Sequence, residues 1–193
     1  MIGLDEAEKF YRKGLKPAHK VIRRYLKKKK KRAVVHGSRA INAYLPSHLD
    51  KPLTERSDWD IFADNPRKVA KEIERRLDRR YGGDYFTVKP GKHRGTYKII
   101  CKVTKQEVAD ITVPDREIPY RRLRGLNYAT LDYHVKKIKE ILKNPEAKFR
   151  HKKEKETLQR IKIYLREKEK QSKRARKKEK PVNPFAVVWR IKK

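Results

Sequence analysis

Two short segments set the terms for the whole chain: Ala33-Val34-Val35-His36-Gly37-Ser38-Arg39-Ala40, and downstream of it Ser57-Asp58-Trp59-Asp60-Ile61-Phe62. The first reads as an apolar strand that runs into a Gly-Ser turn and opens a helix. The second reads as a strand carrying two aspartates. Side chains on a strand alternate faces, so Asp58 and Asp60 share one side while Trp59 and Ile61 take the other. Trp59, Ile61 and Phe62 mark a core strand, in which carboxylates are costly unless something binds them. Two carboxylates held close repel unless a cation lies between them, and hard oxygen ligands suit Mg²⁺. A third carboxylate, Asp110, interrupts the apolar run of Glu107–Val113. Three aspartates on adjacent strands beside a Gly-Ser turn predict a two-metal site for phosphoryl transfer. The turn adds backbone N–H groups and the Ser38 hydroxyl at a helix start, a setting that receives phosphate. Ser38 also suits a helix N-cap, and the two roles are compatible.

Charge supplies the second constraint. The chain has 193 residues and a formal net charge of +32, with an isoelectric point near 10.3. An excess of this size repels itself in isolation, which points to a polyanionic partner, nucleic acid before an anionic membrane surface. Hyperthermophile enrichment in Lys and Glu is balanced in sign, and this excess is not. The single cysteine, Cys101, excludes an intramolecular disulfide and any Cys-based zinc site, and its strand-like setting suits a packed residue. No stretch approaches the 18 or so apolar residues needed to span a bilayer, and the N-terminus is charged, so an intracellular, cytoplasmic protein is expected.

Around these segments the chain reads as an α+β fold: a small mixed or antiparallel sheet with helices on one face, plus basic C-terminal helices. The expected units are N-terminal basic helices (1–32), a core (33–126), a basic helical region (127–180) and an apolar tail (181–193). Helices are predicted over 4–13 and 17–32, the latter with a stripe of Val21, Ile22, Tyr25 and Leu26. The second ends in Lys27, Lys28, Lys29, Lys30, Lys31 and Arg32. Cations suit a helix C-terminus; six in succession exceed that need, so contact with a phosphate backbone is an equal expectation. A helix over 66–80 is entered through Asn65-Pro66 and closed at Gly82-Gly83. Strands are expected over 84–89, 95–103 and 107–113, then a basic loop to Arg124 and a helix over 128–143. Residues 147–180 read as a basic helix with Leu158, Ile161, Ile163 and Leu165 as its apolar face. Lys152 and Lys153 on it are candidate nucleic-acid contacts. The tail reads as an arm docking on the body or a partner-binding peptide.

The strand, Gly-Ser, Asp-x-Asp and later strand Asp resemble the DNA polymerase beta-like nucleotidyltransferase superfamily, over roughly Ala33 to Val113. Gly37-Ser38-Arg39-Ala40-Ile41-Asn42-Ala43-Tyr44-Leu45 is most similar to the poly(A) polymerase-type members of large DNA viruses. The route from Ser38 to Asp58 is longer than in most of the family, filled by 46–56. The resemblance implies Asp58, Asp60 and Asp110 as ligands of two Mg²⁺ or Mn²⁺ ions, with Asp110 on the one that activates the attacking hydroxyl. It implies Gly37 and Ser38 at the triphosphate, reached also by Arg39 or by Arg121, Arg122 or Arg124. Lys136 and Lys137 are placed as triphosphate-binding candidates and Tyr128 as a base-stacking one, although an aromatic at a helix start is usually packed. The expected function is template-independent addition of nucleotides from an NTP, ATP favoured, to the 3′ end of single-stranded RNA or DNA. A processivity or virion partner, viral origin and virion association follow the same resemblance. A small enzyme modifying protein or tRNA, as in toxin–antitoxin modules, and a noncatalytic nucleic-acid-binding protein are the rival readings. His36, His93 and His134 form no metal-binding spacing and read as packed or surface residues.

Overall fold

The computed structural model describes residues 4–28 and 33–178. The expectations placed on Lys29–Arg32 and on the tail 181–193 lie outside the described residues. Seven strands form one mixed sheet in the order β3-β4-β5-β2-β1-β7-β6. They are β1 (Ala33–Val35), β2 (Trp59–Ala63), β3 (Phe86–Pro90), β4 (Thr96–Cys101), β5 (Glu107–Thr112), β6 (Tyr120–Leu123) and β7 (Leu126–Ala129). The helices are α1 (Leu4–Lys13), α2 (Lys16–Lys28), α3 (Gly37–Tyr44), α4 (Pro66–Tyr81), α5 (Leu131–Lys143) and α6 (His151–Lys178). This is the α+β mixed sheet that the sequence predicts.

Two parallel pairings decide where chemistry can occur. β2 lies beside β5 with Asp60 opposite Asp110, and β1 lies beside β7 with Val35 opposite Tyr128. Every other neighbouring pair is antiparallel. Alternation on β2 buries Trp59, Ile61 and Ala63 and leaves Asp60 and Phe62 half-buried on the other side. The Trp59 side is covered by α1, α2 and α4, whose Phe10, Ile22, Tyr25, Ile73 and Leu77 pack with Ile61, Ile99 and Ile111 in one core. A second apolar cluster of Ile41, Leu45, Leu131, Ile138 and Ile161 joins α3, α5 and α6.

Local chemistry accounts for the boundaries. The Asn65 side chain accepts from the Lys68 N–H at 3.1 Å to cap α4, and Gly82, left-handed at φ 81°, ends it. Asp78 then accepts the Tyr85 and Phe86 N–H groups, each at 2.9 Å, and turns the chain into β3.

Three expectations need correction. The region before Arg124, expected to be loop, contains β6, which pairs with β7 as a hairpin. Its two-residue turn is Arg124 (φ 50°) and Gly125 (φ 82°), both left-handed, which matches the twist of paired strands. Tyr128 accordingly lies in a strand and not at a helix start, because α5 begins later, capped by Thr130. On α6 the apolar face is Leu158, Ile161 and Tyr164, while Leu165 is 44% exposed. Ile163 turns off that face, whereas Leu165 is seven residues from Leu158 and shares it but stays exposed. Among the described residues no helix is long and apolar enough to cross a membrane.

Candidate active site

Gly37 explains the first segment. It opens α3 at φ +66°, and a Cβ there would overlap the Asp60 carboxylate. Only glycine combines that backbone conformation with that approach. The preceding residue, His36, donates its N–H to the Asp60 carbonyl at 2.9 Å, which fastens the turn to β2. His36 is the N-cap of α3 and no side chain caps the helix. Ser38 is therefore inside the first turn, which corrects its expected N-cap role. The N–H groups of that turn are left for another acceptor.

Asp60 and Asp110 face each other across β2 and β5, on the side away from the α2–α4 core. Burial, then the charges of Asp58 and Asp110, raise Asp60 to about 7; Lys153 and Arg39 pull the other way. Burial also raises Asp110, opposed by Lys98. Lys98 is opposite Asp110 on β4 and holds both Glu107 oxygens, at 2.7 and 2.8 Å, with Asp110 Oδ2 at 3.9 Å. Asp110 Oδ1 is buried and without a hydrogen-bond partner. A carboxylate pair with raised proton affinity and an orphaned oxygen suits a divalent cation in the chemistry of its donors. The three aspartates do not close into a cage, however. Among the described residues no three His, Cys, Asp or Glu side chains are gathered closely enough to hold an ion.

Asp58 precedes β2 and is held through its main chain. Arg39 Nε donates to the Asp58 carbonyl at 2.7 Å and Nη2 to the Ser57 carbonyl at 2.6 Å. The guanidinium also stacks 4.4 Å over the Trp59 ring, and burial lowers its pKa. The Trp59 indole N–H donates to His19 Nδ1 at 3.1 Å, so the His19 proton is on Nε2, which donates to the Glu55 carbonyl at 2.8 Å. Burial lowers the His19 pKa, in keeping with this neutral form. Arg39 thus braces the loop that delivers Asp58, and its charge is felt at Asp60.

The other expected residues divide. Burial, then the fields of His134 and Lys137, push the His36 imidazole down to about 3. His36 stacks on Phe62 at 3.9 Å, and its Nε2 is buried without a partner. Lys136, Lys152, Lys153 and Lys28 are exposed, and of these Lys153 acts on Asp60. Tyr128, 8% exposed, lines a separate cleft of about 380 Å³ with Arg39, Trp59 and Arg124. Arg121 and Arg122 are exposed on β6. Lys98, Glu107 and His19 escaped the sequence reading. A lysine alternating with Thr96 and Ile100 in a strand was the available signal for Lys98; His19 gave none.

The poly(A) polymerase catalytic subunit model matches residues 20–145, more than half of the chain. The chain belongs to that family. Its fold is similar to the crystal structure of the Megavirus polyadenylate synthase, with a TM-score of 0.68 and 19% sequence identity. That match covers 78% of this chain and 31% of the Megavirus protein, so the chain spans less than a third of the length of this relative. JHP933 from Helicobacter pylori is similar more loosely, with a TM-score of 0.41 and 13% identity over 69% of this chain and 59% of the other. No curated protein matches the sequence.

Proposed function

We propose that this family member transfers a nucleotidyl group from an NTP, ATP favoured, to the 3′ hydroxyl of single-stranded RNA or DNA. The observation that carries the reading is the Asp60–Asp110 pair beside Gly37, where the uncapped start of α3 meets two carboxylates of raised proton affinity. Asp58, Asp60 and Asp110 would hold Mg²⁺ or Mn²⁺. When bound, such ions supply a more acidic 3′ hydroxyl and neutralise the charge on the triphosphate. The N–H groups of Gly37 and Ser38 receive phosphate oxygens, favoured by the positive end of α3. Lys137 and Lys153 add positive charge at the two sides of the site. Asp110 is the acceptor for the proton leaving the 3′ hydroxyl. The 3′ oxygen bonds to the α-phosphorus as the bond to the bridging oxygen breaks, and pyrophosphate leaves. Arg39 acts by positioning Asp58.

The test is extension of a labelled single-stranded RNA by each NTP in turn with Mg²⁺ or Mn²⁺. A ladder is expected that falls at least about a thousandfold in rate in Asp60→Asn and Asp110→Asn. No incorporation into RNA or DNA, with label transferred instead to protein or tRNA, would replace this reading with the protein- or tRNA-modifying one.

A further inference from the structure

Asp60 and Asp110 lie on one side of the sheet, and α2 and α4 cover the other. Between these two helices, on their outer side, runs a groove of about 560 Å³ lined by Val21, Tyr25 and six cations. Arg24, Lys27 and Lys28 form one wall; Arg76, Arg79 and Arg80 form the other. All six are exposed, and among the described residues none of them makes an ion pair. Arg76 stands 5.3 Å over the Tyr25 ring, and the Tyr25 hydroxyl donates to Glu72 at 2.9 Å, which fixes the floor. Each wall repeats its cations at the same helical offsets, three and four residues apart, so each presents a short row about one turn long. The four residues that follow Lys28 in the sequence are basic as well.

Unpaired like charges this close cost free energy in the isolated protein, and packing does not require them, because the buried stripes of α2 and α4 face the sheet. Four of the six are arginines, the side chain whose planar fork matches phosphate. Two rows of cations flanking a floor of Val21 and Tyr25 fit a line of phosphates. We propose that this groove is a second nucleic-acid site, which grips the sugar-phosphate backbone of a single strand on the side of the protein remote from the carboxylates. It goes beyond the proposed transfer and does not depend on it. Recognition is by backbone charge, hence indifferent to base sequence and sensitive to salt.

The probe is a fluorescein-labelled 30-nucleotide oligouridylate, its binding followed by anisotropy against the full chain, without metal or NTP, from 50 to 300 mM NaCl. Arg76→Gln/Arg79→Gln/Arg80→Gln is expected to weaken binding about tenfold or more at 100 mM and to reduce the log–log salt slope by about 2, since each single-strand phosphate contact contributes about 0.7. Arg24→Gln/Lys27→Gln/Lys28→Gln on the facing wall should do the same, and melting curves check that both variants fold. Asp60→Asn should bind like the parent, which keeps this result separate from any failure of nucleotide addition. Parental affinity and slope in both groove variants would overturn the proposal. It would equally fall to an acidic partner if a labelled 20-residue oligoglutamate bound the parent, not the variants, while oligouridylate binding stayed unchanged.

Discussion

At the scale of single residues, Asp60 carries a conflict that can be measured. Its carboxyl ionises near 3.8 in the unfolded chain and near 7 in the fold. The folded state therefore holds the proton more tightly. The resulting stability is complete below pH 4 and is lost as pH rises through 7. Asp60→Asn keeps the shape of the neutral acid and removes the charge. In EDTA at pH 8 the variant should be more stable than the parent by roughly 2 kcal/mol, about half the unscreened value because the carboxylate is partly open to solvent. Near pH 4 the two should coincide in urea denaturation. A variant less stable at pH 8 would mean that Asp60 is held by attraction and not strained by burial. The same crowding explains Gly37, whose φ and whose closeness to Asp60 leave no room for a side chain.

At the scale of elements, what could be read in the sequence follows from alternation. β2 buries every second residue around Asp60, and on β5 the buried Ala109 and Ile111 flank Asp110, so strand, face and carboxylate were all visible. The β6–β7 hairpin was invisible because neither strand alternates: Tyr120–Leu123 is almost wholly exposed and Leu126–Ala129 wholly buried. Its turn also lacks the usual signal, using Arg124-Gly125 where Asn-Gly is favoured. Distance in sequence hid the rest of the site. His19, Arg39, Glu55 and Trp59 meet only after folding, and no spacing rule links them. Arg124 at φ 50° is strained for a long side chain. Arg124→Asn should stabilise the protein by about 0.5–1 kcal/mol, read as a higher urea midpoint with an unchanged slope. A loss of stability would show that the arginine contributes more in its cleft with Trp59 and Tyr128 than it costs in the turn.

Across the whole molecule, charge is the term that no local structure balances. Among the described residues the ion pairs are mostly exposed and few beside a net charge of +32, and exposed pairs contribute little. Self-repulsion should then dominate the response to salt, since it acts among all cations while each pair acts alone. Raising NaCl from 50 to 500 mM is expected to raise Tm by about 5 °C, equivalent to 1–2 kcal/mol in a chain of this size. A saturating single-stranded oligonucleotide at 50 mM should produce a comparable rise, because a ligand that binds only the folded state stabilises it by mass action. At 500 mM that second effect should shrink as phosphate contacts are screened. Opposite salt dependences of the two rises would identify the basic surface as built to be neutralised by a polyanion. A Tm that fell with NaCl would instead assign net stabilisation to the surface ion pairs, and the excess charge would then need no partner.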